Sequence, residues 1–98
     1  MKVIWSPLAV ERAYEEARYI ARDKPGAALR WLDGLFASTD RLAMFPESGS
    51  IVSEINDPQY RQIIYRSHRV IYRVEPKRVA ILTVRRAKRL LDLAELLQ

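Results

Sequence analysis

No cysteine occurs in this sequence, so neither a disulfide scaffold nor a thiolate metal site can be built from it. Histidine is nearly as scarce, with His68 the only one. Three glycines and five prolines in 98 residues are too few for a collagen-like fibre or a low-complexity linker. No apolar run approaches the ~18 residues needed to span a membrane. The opening Met1-Lys2-Val3-Ile4-Trp5 gives way at once to Ser6-Pro7 and charged side chains, so no signal-peptide core is present. A soluble cytoplasmic protein is the expectation. A chain that is 49% hydrophobic and 30% charged is not a disordered tail. At this length residues 1–98 form one domain, which buries roughly two-thirds of its unfolded surface in a single core.

What the sequence does have is basic charge in one place. The formal net charge is +5, yet residues 1–49 carry seven basic and seven acidic side chains. All ten bases of the second half fall between Arg61 and Arg89, where Glu75 is the only acid, so this stretch carries +9. Eight of those ten are arginine, whose planar guanidinium grips phosphate and carboxylate bidentately. Such asymmetry fits either a solvated basic face or an anionic partner, nucleic acid or an acidic protein surface.

The patterning is α+β. Val3-Ile4-Trp5 reads as a short strand, and Ser6-Pro7 as an N-cap followed by a proline at the first helical position. Apolar residues at Val10, Ala13, Tyr14, Ala17 and Ile20 or Ala21 keep helical spacing to about Arg22. Asp23-Lys24-Pro25-Gly26 interrupts the chain. A second helix is expected from there to about Met44, with Ala28, Leu32, Leu35, Phe36 and Leu42 on one stripe. The period then changes to two. Arg61 to Arg66, His68 to Glu75 and Val79 to Val84 read as three strands, the last pair joined through Glu75-Pro76-Lys77-Arg78. Arg85 to Gln98 reverts to helical character and is rich in leucine. The expected order is β-α-α-β-β-β(-α), a helical hairpin packed on a small, mostly antiparallel sheet.

Strand alternation places Arg69 and Arg73 on one face, roughly 13 Å apart. Arg85, Arg86, Lys88 and Arg89 cluster where the last strand ends, and a meander would bring these groups into one concave basic surface. Catalysis has less support. Cleavage of a phosphodiester needs a proton donor and acceptor beside the phosphate clamp. His68 shares its strand face with Val70 and Tyr72, which suits a packing histidine. Tyr60, Tyr65 and Tyr72 suit sheet packing. Glu54, Asp57 and Glu75 stand apart, without the spacing of a two-carboxylate or metal site.

Trp5-Ser6-Pro7, Tyr19-Ile20-Ala21-Arg22-Asp23-Lys24-Pro25, Ala27-Ala28 and Arg41 to Gly49 in the first half, with His68-Arg69-Val70-Ile71-Tyr72-Arg73-Val74 followed by Val79 to Val84 in the second, together resemble the ParE/RelE superfamily of toxins from bacterial type II toxin–antitoxin modules. The first-half stretches look like the ParE branch, and His68 to Val74 is similar to the superfamily's "YR-V-I-YRV" strand. RelE-type members cut messenger RNA in the ribosome, with basic residues on the sheet and a late Tyr or His. ParE-type members trap the cleaved complex of DNA gyrase with DNA.

Arg69 corresponds to the sheet arginine of the nucleases, with Arg85 or Arg86 near the second basic position. No Tyr follows Tyr72 and no His follows His68, so the late proton-transfer group is missing. The ParE tail "H-G-R/A-R" is replaced here by Arg86-Ala87-Lys88-Arg89. The resemblance therefore implies a non-enzymatic ParE-type gyrase inhibitor, with a ribosome-dependent endoribonuclease as the alternative. It implies no cofactor and no metal. A cognate antitoxin would form a hetero-oligomer with the toxin. The implied target contacts are Arg61, Arg69, Arg73, Arg85, Arg86, Lys88 and Arg89. Candidate antitoxin grooves lie at the apolar stripes around Trp5, Tyr14, Trp31 and Leu35, which also suit core packing.

Overall fold

A computed structural model describes all of residues 1–98. Strand β1 spans Lys2–Trp5, and helices α1 and α2 span Pro7–Ala21 and Pro25–Ser38. Four strands follow: β2 Ser50–Ile51, β3 Tyr60–Tyr65, β4 His68–Val74 and β5 Arg78–Arg86. They form one sheet in the order β1-β5-β4-β3-β2, with β1 parallel to β5 and every other pair antiparallel. The expected α+β architecture is present.

Local chemistry explains where the helices start and stop. The Ser6 hydroxyl accepts a hydrogen bond from the Ala9 amide (3.0 Å), and Pro7 follows it at the first helical position. Helix α2 ends at Ser38, not near Met44. The Ser38 hydroxyl donates to the Leu35 carbonyl (2.6 Å) and the Thr39 hydroxyl to the Phe36 carbonyl (2.9 Å), so the side chains take up the last-turn acceptors. The chain then tightens into a 3₁₀ turn, Asp40–Ala43, which keeps Leu42 buried. The C-terminal stretch also departs from expectation. Beyond β5 its only regular element is a 3₁₀ turn at Leu93–Leu96, and three of its five leucines, Leu90, Leu93 and Leu97, are exposed with nothing to pack on.

The two sides of the sheet carry separate apolar layers. On the helix side, Ala9, Ala13 and Ala17 of α1 and Ala28, Trp31, Leu32 and Leu35 of α2 meet Ile63, Val70, Tyr72, Val79, Ile81 and Val84. A row of alanines lets α1 lie close against β5. On the other side Ile71, Ala80 and Leu82 are covered by Val52 and Leu96, with Ile55, Tyr60 and Leu91 at the margin. Burial of each Leu, Ile or Val contributes about 1.5–3 kcal/mol.

Two glycines are dictated by close approach. A Cβ at Gly34, mid-α2, would overlap the Tyr65 hydroxyl, which donates to the Trp31 carbonyl (2.9 Å). At Gly49 a Cβ would meet the Gln62 carbonyl and the Tyr72 hydroxyl, both at 2.5 Å. The fully buried Tyr72 phenol donates to the Pro46 carbonyl (2.7 Å) and accepts from the Gly49 amide (3.0 Å), tying the loop before β2 to β4.

Candidate functional site

Pleating along β4 sends His68, Val70 and Tyr72 to the helix side and Arg69, Ile71 and Arg73 to the other. In β5 the register with β4 slips at Leu82, since Ile71 pairs with Thr83 while Tyr72 pairs with Ile81. This one-residue bulge changes the phase of the strand. Val84 and Arg86 turn toward α1, while Thr83 and Arg85 join the arginine side. Arg85 is thereby the cross-strand partner of Arg69.

The arginine side is assembled, but none of its three arginines is free. Arg69 is 8% exposed and held by Gln62 Oε1 (2.8 Å) and by both oxygens of Glu54 (2.8 and 2.9 Å). Hydrogen bonding from Arg69 pulls the Glu54 carboxyl down to about 2. Arg73 pairs with Glu75 (2.8 Å), donates to the Gln98 carbonyl (3.2 Å) and lies over the Tyr60 ring (5.9 Å). Arg85 meets Glu95 (3.3 Å) and the Leu90 carbonyl (3.1 Å). Glu95 is itself buried, accepting from Thr83 (2.6 Å) and Arg12 (2.9 Å). Burial pushes the Glu95 carboxyl up, but the Thr83 hydroxyl, Arg12 and Arg85 outweigh it and leave the group below the usual carboxylate range. Three acids that stand apart in sequence, Glu54, Glu75 and Glu95, are the counter-ions of this face.

The other basic residues are distributed differently. Arg61 donates to the carbonyls of Pro58 (2.9 Å), Glu47 (3.3 Å) and Gly49 (3.0 Å), so it pins loops together. Arg86 stacks over the exposed Tyr19 ring at 4.8 Å and makes only long contacts to Glu16 (3.4 Å). Lys88 and Arg89 are exposed in the turn after β5 and take part in no ion pair. Arg66 occupies the β3–β4 hairpin with a positive φ of 52°.

His68 packs as its strand position implies. It is buried edge-on against Trp31 (ring centroids 5.1 Å apart), with Nε2 3.1 Å from the Glu16 carboxylate. It therefore faces away from Arg69. The candidate antitoxin grooves are corrected by the core: Trp31 and Leu35 are buried on the helix side and present no surface. Trp5 is half-buried, edge-on to Phe36 (4.7 Å), with its indole N–H donating to Thr39 (3.3 Å). Of the four, Tyr14 alone is exposed. No three His, Asp or Glu side chains converge closely enough to hold a metal ion, and no helix is long and apolar enough to cross a membrane.

Comparison with known proteins agrees with this architecture. The family model described as the ParE toxin of the type II toxin–antitoxin system, parDE, matches residues 3–91. A structure of the chromosomal ParDE TA system from P. aeruginosa superposes with a TM-score of 0.77 at 18% identity, covering 90% of this chain and 97% of the other. The YoeB/ParE toxin from Agrobacterium tumefaciens gives a TM-score of 0.58 at 17% identity, covering 88% and 98%. The YoeB dimer from Staphylococcus aureus gives 0.55 at 15% identity, covering 87% and 94%. No curated protein sequence matches significantly. At such identities the structural likeness establishes a shared fold.

Proposed function

The chain belongs to the ParE toxin family of type II toxin–antitoxin systems, and from that premise we propose that it arrests growth by binding DNA gyrase and trapping its cleaved complex with DNA. The observation that carries a binding role over a cutting one is the separation of His68 from the arginines. The single imidazole lies on the helix side against Trp31, while Arg69, Arg73 and Arg85 lie on the opposite side. A phosphodiesterase needs a proton-transfer group beside its phosphate clamp. On this reading the contact surface is the end of β5 and the turn beyond it, where Arg86, Lys88 and Arg89 keep exposed charge, with Arg69, Arg73 and Arg85 recruited by exchange of their carboxylate partners. An antitoxin with an acidic, apolar segment neutralises the toxin by covering this basic half.

A second reading, ribosome-dependent cleavage of messenger RNA, draws on one feature. The Tyr60 phenol stands on the arginine side, beside Arg73. Pulse expression distinguishes the two. Gyrase poisoning stops thymidine incorporation before amino-acid incorporation, whereas ribonuclease action stops amino-acid incorporation first.

A further inference from the structure

A cleft of about 610 Å³ opens where the C-terminal half of α1, the β3–β4 hairpin and the turn after β5 meet. Its walls are Glu16, Tyr19 and Ile20 from α1, Ser67 and His68 from the hairpin, and Arg86 to Lys88 from the turn. The volume falls within the range of small-molecule sites, roughly 300–1,000 Å³. Most of the exposed lining is apolar, with Ile20, Ala87 and the Tyr19 and His68 rings among it, and its charged groups are the bases Arg86 and Lys88 and the acid Glu16. Trp31 backs the His68 ring, which stiffens that wall. The turn is fixed to the hairpin by the Ala87 amide, which donates to the Ser67 carbonyl (2.8 Å), so both sides of the cleft are held at a set separation.

Arg86 differs from the other arginines of the sheet. Arg69 is locked by a two-pronged pair at 2.8 and 2.9 Å, but Arg86 touches Glu16 only at 3.4 Å and is over a third exposed. Its guanidinium carbon lies 4.8 Å from the centre of the Tyr19 ring, and its N–H groups remain available to grip an anion. Lys88, in no ion pair, offers a second cation at the rim.

We propose that this cleft is a binding site for a small organic anion: a flat apolar body seated against Tyr19, Ile20 and His68, with one phosphate or carboxylate on Arg86 and Lys88. Glu16 then keeps its contact to His68 and yields Arg86 to the ligand. The site lies on the helix side, apart from the Arg69–Arg85 face; it shares Arg86 and Lys88 with the surface proposed to meet gyrase, but small-anion binding is read without gyrase and stands or falls separately from that reading.

Amide chemical-shift titration of the full chain tests it, with four probes: 1-naphthoate, adenosine monophosphate, adenosine and inorganic phosphate. Saturable shifts at Tyr19, Ser67 and Ala87 are expected with naphthoate, with the nucleotide, or with both. Naphthoate alone assigns the head group to a carboxylate source, the nucleotide alone to a phosphate source. Adenosine and phosphate lack one half of the pharmacophore and bind about tenfold more weakly or worse. Arg86→Gln weakens the aromatic anions by about tenfold, the equivalent of one charge-assisted hydrogen bond. Tyr19→Ala, at an exposed position, weakens them without touching the charge. Shifts confined to the exposed leucines at 90, 93 and 97, equal binding of phosphate alone, or affinity unchanged in both variants would overturn the proposal.

Discussion

Arg69 and Glu54 meet fork to fork, Nη1 to Oε2 at 2.8 Å and Nη2 to Oε1 at 2.9 Å, across fifteen residues of chain. The pair neutralises the most buried arginine of the sheet and anchors the loop between β2 and β3. It makes the stability of this loop a function of pH. Glu54 titrates near 2 in the folded protein, below its ordinary value near 4.5. A depressed carboxyl contributes stability above its unfolded value, and the contribution fades as pH falls through the folded one. Glu54→Gln is expected to cost about 1 kcal/mol at pH 7, since Glu54 is about one-third exposed and screened by water. The cost should shrink between pH 5 and pH 2. Urea midpoints across that range check it; a constant difference would show that the pair is not the cause.

Gly34→Ala should destabilise the protein although alanine favours helices by about 1 kcal/mol over glycine. The new methyl collides with the Tyr65 hydroxyl, and overpacking of this kind costs about 1–3 kcal/mol. Tyr65→Phe removes the hydroxyl and should recover most of the loss in the double variant. Thermal melts of all four proteins give the coupling.

Arg66→Gly should stabilise the hairpin by about 0.5 kcal/mol. The left-handed conformation at Arg66 costs an L-residue about 1–2 kcal/mol, offset in part by the greater freedom of an unfolded glycine. Denaturant unfolding of the variant is the measurement, and an unchanged midpoint would place the strain elsewhere.

The segment beyond Arg89 should be the least protected part of the molecule. Its backbone hydrogen bonds are local, from Glu95 to Asp92 and from Leu97 to Ala94, and none joins it to the sheet. Side chains attach it instead: Glu95 to Thr83, Arg12 and Arg85, Leu96 in the apolar layer, and Gln98 to the Leu82 carbonyl (2.7 Å). Glu95→Ala leaves two guanidinium groups without this carboxylate, and should make trypsin cut after Lys88 and Arg89 several-fold faster. Equal cleavage rates would assign the attachment to Leu96.

The sequence announces some of this fold plainly and hides the rest for identifiable reasons. Ser6-Pro7 marks the start of α1 because both residues act within one turn. The end of α2 is hidden because Leu42 continues the apolar stripe, while the decisive event is the capture of two carbonyls by Ser38 and Thr39. Alternation correctly separates His68 from Arg69, but the bulge at Leu82 leaves no compositional trace, and it alone decides that Arg85 joins the arginine side while Arg86 faces α1. The count of +9 is sound as a count. It says nothing of the carboxylates that fold back from residues 54 and 95, outside the stretch, since side-chain pairing across the fold is a tertiary property. Trp31 and Leu35 look available in a helical stripe and are core because β3 and β4 lie beneath them.

On the reading proposed above, this basic half binds gyrase and does not cut RNA. Supercoiling of relaxed plasmid by purified gyrase, with toxin titrated to micromolar concentration, tests it most directly. Loss of supercoiling with accumulation of linear, protein-linked DNA is expected, reversed by antitoxin and weakened about tenfold or more when Arg86, Lys88 and Arg89 are replaced together by Gln. Undiminished supercoiling and no cleaved DNA at that concentration, from a protein that still halts growth, would contradict it.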